Sequence, residues 1–146
     1  MKEGKQKTTI LIIYGPNFNL IGQSHNSKKH RITIDKLNKE IKTKVKGLIY
    51  KTKFFQTNSE SKAVAFIQKN KDKAAALLLF PGAWQQSGYS IIDILNILEI
   101  PFVTVSKGEP VQNIVGFDNF INENMLISCG DAIIKLILFL NNLNKE

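Results

Sequence analysis

Lys29 and His30 are two side chains that could move a proton, and both lie in the polar run from Gly22 to Arg31. A general base needs reach to its proton and a pKa matched to the task. Histidine titrates near neutrality unaided. A lysine would need burial or neighbouring cations to shed its charge, and on a polar loop it ordinarily stays solvated and protonated. Solvent-facing loop residues are the simpler reading of both. Asn17, Asn58, Gln86 and Ser106 can hold a polar ligand without exchanging protons near neutral pH. Asn17 and Asn58 also have a plain structural reading, because asparagine side chains commonly bridge loops. Tyr14 and Tyr89 lie outside the polar run. His25 and His30 share one segment without metal-ligand spacing. The lone Cys129 excludes an internal disulfide and a cysteine-based metal cluster. No metal and no cofactor is expected.

The elements that must position these residues alternate. Thr8 to Ile13 is continuously apolar and β-branched, as in a strand covered on both faces, and it opens into Tyr14-Gly15-Pro16-Asn17. A helix is expected over Ile34 to Val45, with Ile34, Leu37, Ile41 and Val45 on one face, Thr33 as N-cap and Gly47 as stop. Leu48 to Phe55 alternates lysines with apolar residues, the pattern of an edge strand. Ser59 to Lys69 reads as a helix and Ala74 to Phe80 as a buried strand stopped by Pro81-Gly82. Ser90 to Leu98 reads as a third helix, Phe102 to Val105 as a fourth strand, and Met125 to Ser128 as a fifth. The last helix is expected over Asp131 to Leu143, apolar on nearly every side; such a helix is either a deep core helix or covers its second face in a subunit interface.

This order predicts a single α/β domain over residues 1–146, with 1–7 flexible. The expected architecture is a doubly wound, flavodoxin-like parallel sheet of five strands in order 2-1-3-4-5. Right-handed crossovers then bring the ends of strands 1, 3 and 4 to one rim, where open α/β sheets bind ligands. The loops 15–31, 81–90 and 106–117 converge there, with 22–31 as a lid.

The net charge of +8 comes from 20 basic and 12 acidic residues, and Arg31 is the sole arginine. Lysines without interleaved aromatics read as solvated faces and give base readout little support, so no specific nucleic-acid partner is expected. General attraction to polyanions stays open. No apolar run is expected to span a bilayer and the N-terminus lacks an apolar signal region, so the expectation is a cytoplasmic protein with no membrane partner.

The segment from Gly15 to Gly22 resembles the G-P-N-x-N-L-x-G loop of the type II dehydroquinases, the 3-dehydroquinate dehydratases. Gln56-Thr57-Asn58-Ser59-Glu60 is similar to that family's Q-S-N-x-E element, and Phe80-Pro81-Gly82-Ala83-Trp84 to its N-P-G-A-Y. Asp93 falls where the family has an acidic residue. Ile100-Pro101-Phe102-Val103-Thr104-Val105 is similar to I-P-V-V-E-V, and Cys129-Gly130 fits the start of the last helix. Several ordered motifs are more specific together than any one alone.

The resemblance implies dehydration of 3-dehydroquinate through an enol or enolate, by a tyrosine base that an arginine activates on the first loop. It also implies an asparagine and a histidine that hold substrate, a Glu-x-His pair after strand 4, and a second arginine. Counted without gaps, the first arginine position falls on Ser24 and the tyrosine position on Lys29. Phe80 replaces the asparagine, Gln86 the histidine, and Thr104 and Ser106 the Glu-x-His pair. Asn17, a ligand-water partner in the family, survives. A one-residue gap would bring His30 into the tyrosine register. Phe80 and Trp84 are expected to make the pocket more apolar.

The expectation is therefore a dehydroquinase-like scaffold with a degenerate site, a small-ligand binder or structural oligomer with little or no dehydratase activity. Asn17, Asn58, Gln86 and Ser106 would bind a small polar cyclic carboxylate. The resemblance implies trimers that assemble into dodecamers. The alternative is an active dehydratase using His30 or Lys29 as substitute base.

Overall fold

The computed structural model describes residues 6–21, 32–86, 88–106, 119–121 and 124–144. Lys29, His30, the 22–31 loop, residues 1–5 of the expected flexible lead and residues 107–117 of the third rim loop lie outside them. The strands are β1 (Thr9–Tyr14), β2 (Lys51–Gln56), β3 (Ala74–Phe80), β4 (Phe102–Ser106) and β5 (Asn119–Ile121). They form one sheet in the order β2-β1-β3-β4-β5, as expected, and every neighbouring pair is parallel. The helices are α1 (Ile34–Val45), α2 (Glu60–Lys69), α3 (Tyr89–Ile97) and α4 (Met125–Asn144).

The two-residue period of a strand divides the core into two layers. Ile10, Ile12 and Tyr14 of β1 join the side chains of α1 and α4 on one face, whereas Leu11 and Ile13 join those of α2 and α3 on the other. β1 is thus buried on both faces, which accounts for its unbroken apolar run. β2 is the edge strand its lysines suggest, with Lys51 and Lys53 exposed. Thr33 caps α1 by accepting from the Lys36 N–H at 3.2 Å, and Ser59 caps α2 by accepting from the Lys62 N–H at 3.3 Å.

Three expectations are corrected. Met125 to Ser128 is the first turn of α4 rather than a strand, and the fifth strand is Asn119–Ile121. A short apolar run suits either structure; Asn124 decides it, accepting the Leu126 N–H on its side-chain oxygen at 3.0 Å. Cys129 and Gly130 consequently lie inside α4, not at its start. Leu48 and Ile49 precede β2, because Gly47 at φ 82 turns the chain and the Leu48 N–H closes back on the Val45 carbonyl at 3.0 Å. Finally, Met125–Leu143 is by length and composition apolar enough to cross a bilayer, with a mean hydropathy of 1.6. In this fold α4 packs on α1, β3, β4 and β5, with Ile127, Ile134 and Leu138 left exposed on its outer side. It is not buried all round.

The ends of β1 and β3 meet most closely at Gly15. Its N–H donates to the Phe80 carbonyl at 2.8 Å, and a Cβ there would stand 2.5 Å from the Pro81 oxygen. Gly130 differs, because a Cβ would meet the Glu40 carboxylate at 2.7 Å, the far end of a flexible side chain. Gly15→Ala should lower unfolding free energy by about 1–3 kcal/mol in urea melts. Gly130→Ala should fall within about 1 kcal/mol of the parent, since helix propensity offsets the adjustment.

Candidate functional site

The rim is built by the turns that leave β1, β2 and β3. After Tyr14 the chain passes Gly15 and Pro16 to Asn17, which takes a left-handed conformation at φ 68 and starts the 3₁₀ turn Phe18–Leu20. Asparagine tolerates that conformation better than most residues. The Asn17 N–H donates to the Asn58 side-chain oxygen at 2.9 Å. Gln56 Nε2 donates to the same oxygen at 3.2 Å and to the Gly15 carbonyl at 3.1 Å. The Thr57 N–H donates to the Tyr14 carbonyl at 3.0 Å. Asn17 and Asn58 are thereby brought together as expected, and Asn58 serves as a bridge between the loops after β1 and β2.

The other two expected ligand residues sit on β4 and after β3. Ser106 ends β4 and is buried, as is Thr104 two residues earlier. Gln86 closes the 3₁₀ turn Gly82–Gln86 after β3; its side chain lies outside the described atoms. Asn17 and Asn58 are exposed.

Phe80 and Trp84 are both buried. Phe80 is wholly buried, its ring 4.6 Å from Tyr14 and 5.7 Å from Phe18, with Tyr14 and Phe18 at 5.8 Å. Trp84 is buried in the opposite layer, beside the α2 and α3 side chains. These rings fill the base of the rim instead of presenting an apolar wall to it. Strand parity turns Phe80 to the same side as Leu78 and Tyr14, and Gly82 at φ 55 carries the chain away from it.

Tyr14 is excluded as a base by its setting. Its hydroxyl donates to the Asn38 side-chain oxygen at 2.6 Å, and burial pushes its pKa far above the usual tyrosine value, with Cys129 adding a smaller push. The Cys129 thiol is raised from 9.0 to about 12, by burial first and by Glu40 second. One pair went unnoticed in the sequence: the Glu60 carboxylate accepts both the backbone N–H of Ser90, at 3.2 Å, and its hydroxyl, tying the starts of α2 and α3 together at the rim. The acid lies in the Q-S-N-x-E element, but nothing in the spacing points to Ser90. Among the described residues no three His, Cys, Asp or Glu side chains gather as a metal site. The described rim therefore offers amides and hydroxyls over an aromatic floor.

The sequence model of the family described as dehydroquinase class II matches residues 8–135. A 3-dehydroquinate dehydratase of Clostridium botulinum (strain 657) is 34% identical over 96 residues, covering 66% of this chain and 65% of that enzyme. The match thus spans just under two thirds of that relative's length. A 3-dehydroquinate dehydratase of Buchnera aphidicola subsp. Cinara cedri is 30% identical over 131 residues, covering 89% of this chain and 84% of the relative. In fold, the chain is similar to the crystal structure of type II dehydroquinase from Propionibacterium acnes, with a TM-score of 0.72 and 21% identity, covering 90% of this chain and 98% of that one. The chain belongs to the dehydroquinase class II family.

Both raised pKa values favour the fold while the groups stay protonated. That contribution is complete below the unfolded thiol value of 9.0 and is lost as pH rises toward about 12. Urea melts should show these groups contributing no pH dependence between about pH 7 and 8 and a decline above about pH 9; Cys129→Ala should remove the thiol's share of the decline. Native Cys129 should resist a thiol-specific chromogenic reagent at about pH 8 until the protein is unfolded.

Proposed function

We propose that this chain keeps the type II dehydroquinase scaffold around a degenerate dehydratase site, and acts as a small-ligand-binding or structural oligomer with little or no turnover of 3-dehydroquinate. The observation that carries this reading is Phe80. It stands where the family resemblance puts a substrate-holding asparagine, and it is sealed between Tyr14 and Phe18. A phenyl ring offers neither donor nor acceptor, and the cluster leaves it no route to a ligand without rebuilding the floor.

The chemistry points the same way. Forming an enolate requires a base and a positive field for the developing charge, each ordinarily worth a hundredfold or more, on the order of 10²–10⁴ for the base and 10²–10³ for one oxyanion donor. Thr104 and Ser106 stand at the Glu and His positions and cannot supply a charged acid–base pair. The single arginine of the chain is Arg31, and the tyrosine position counts to Lys29. Asn17, Asn58, Gln86 and Ser106 are the residues proposed to bind a small polar cyclic carboxylate. Self-association is supported by the family and by the exposed Ile127, Ile134 and Leu138 on α4, with the family's trimer or dodecamer as the proposed assembly and the cytoplasm as the proposed location.

The deciding measurement is 3-dehydroquinate turnover, followed by absorbance of the conjugated enone product, on protein from a host without its own dehydroquinase. The expected kcat/KM lies at least about 10⁴-fold below that of an active type II enzyme. Phe80→Asn alone should not restore it. Isothermal titration with a cyclohexane carboxylate should still report binding, weakened by Asn17→Ala. Robust turnover abolished by His30→Ala or Lys29→Ala would overturn the degenerate-site reading and identify the substitute base.

A further inference from the structure

The charge of this protein is segregated. Residues 34–73 carry eleven lysines against Asp35, Glu40, Glu60 and Asp72, whereas residues 74–106 hold Asp93 and Glu99 and no Lys or Arg. A general bias toward lysine codons would not leave one stretch so basic and the next without a cation. All eleven lysines are exposed.

The fold gathers part of this charge at one end of the sheet. The starts of β2, β1 and β3 lie side by side: the Lys51 N–H donates to the Thr8 carbonyl at 2.8 Å, and the Thr9 N–H to the Lys73 carbonyl at 3.0 Å. Exposed Lys7, Lys46, Lys51, Lys71 and Lys73 therefore surround this end, with Asp72 and Glu99 as its acids among the described residues. At the same end, the turn between α1 and β2 displays Leu48 and Ile49 at 45% and 56% exposure, between Lys46 and Lys51. Single exposed apolar residues are ordinary. A consecutive pair at the turn, flanked by lysines, supplies the apolar area and the cationic charge on which interfacial binding to anionic lipid depends.

We propose that this basic pole docks the protein on an anionic lipid surface, with Leu48 and Ile49 entering the interfacial layer and the surrounding lysines meeting the negative headgroups. Lysine stems lie along apolar surface while their ammonium groups reach outward, so the two kinds of residue can act together. Because the strands are parallel, the pole is at the opposite end of the sheet from the rim where Asn17 and Asn58 meet. A docked molecule presents that rim to the solvent. Two other occupants fit less well. A nucleic acid would account for the lysines and leave the apolar pair unexplained. A second copy in two-fold contact would bring like-charged poles together, because such an interface pairs a patch with itself.

The test is co-sedimentation with vesicles of phosphatidylcholine, with and without about 30 mol% phosphatidylserine. Binding to the serine-containing vesicles should exceed that to phosphatidylcholine by about a hundredfold at low salt, and should weaken steeply as salt is raised. A lysine near such a surface is worth about fivefold, so Lys51→Gln, Lys71→Gln and Lys73→Gln together should weaken binding by about a hundredfold. Leu48→Ser with Ile49→Ser should reduce it by about tenfold while leaving the salt dependence in place. Lys135→Gln, on α4, should change binding less than twofold, roughly the scatter expected without a contact. The lipid and salt dependence of the parent protein stands without any variant, and circular dichroism checks that each variant is folded. Absence of binding at low salt or equal binding to both vesicles would overturn the proposal. So would lysine-dependent binding of single-stranded RNA without vesicle binding, or loss of self-association in place of vesicle binding in the Leu48/Ile49 variant.

Discussion

The close approach of β1 and β3 at their carboxyl ends governs what the rest of the rim can be. Gly15 sits where a side chain would strike the Pro81 oxygen, and its N–H is held by Phe80. That contact continues the β1–β3 ladder one residue past Tyr14 and Phe80, which are register partners. It thereby forces the two aromatic rings into mutual contact on the α1–α4 face. It also fixes where Asn17 leaves the strand, and so where its N–H can meet Asn58. The floor, the bridge and the direction of the first loop all descend from one position where a Cβ would crowd the Pro81 oxygen.

Given that geometry, Phe80 completes the packing beneath the rim. A polar side chain there would have to find partners beneath the loop or reach upward to a ligand; a phenyl ring completes an aromatic cluster with Tyr14 and Phe18. Aromatic contacts of this kind add about 0.5–1.5 kcal/mol beyond the area they bury. The Tyr14 hydroxyl stays satisfied by Asn38, so the cluster carries its polar group to α1 and away from the rim. Trp84 is buried in the other layer.

How far the sequence foretells this structure varies with the kind of information each element needs. α1 and β3 run between the residues expected of them, because a 3.6-residue apolar stripe with a threonine cap and a seven-residue apolar strand ended by Pro-Gly are local signals. β5 is three residues long and leaves little periodicity to read, and the apolar run after it was open to either structure until Asn124 capped it. The parallel order 2-1-3-4-5 follows from the alternation of elements and the handedness of crossovers. At the rim, the motif resemblance brings Asn17 and Asn58 together, while their actual bond, a backbone N–H to a side-chain oxygen, depends on a left-handed residue that no spacing reveals. The inward turn of Trp84 is equally hidden, because it depends on the turn after β3, whereas Phe80 follows the strand parity of Leu78.

The two ends of the sheet follow different physical rules. At the rim, β-to-α turns are held by short bonds between loops, with Gln56, Asn58 and Glu60 each accounted for by partners from another segment. At the opposite end, the α-to-β turns expose lysines and the Leu48–Ile49 pair, and the backbone bonds that join Thr8 to Lys51 and Thr9 to Lys73 hold the strand starts without engaging those side chains. A surface whose scaffold is fixed by main-chain bonds can change its side chains freely, so the exposed composition there is set by solvation and by what the surface meets. At the far end, side-chain bonds from Lys53 to Asn70 and from Tyr50 to Asn141 add to the main-chain ones, and the lysines beside Leu48 and Ile49 stay at the surface.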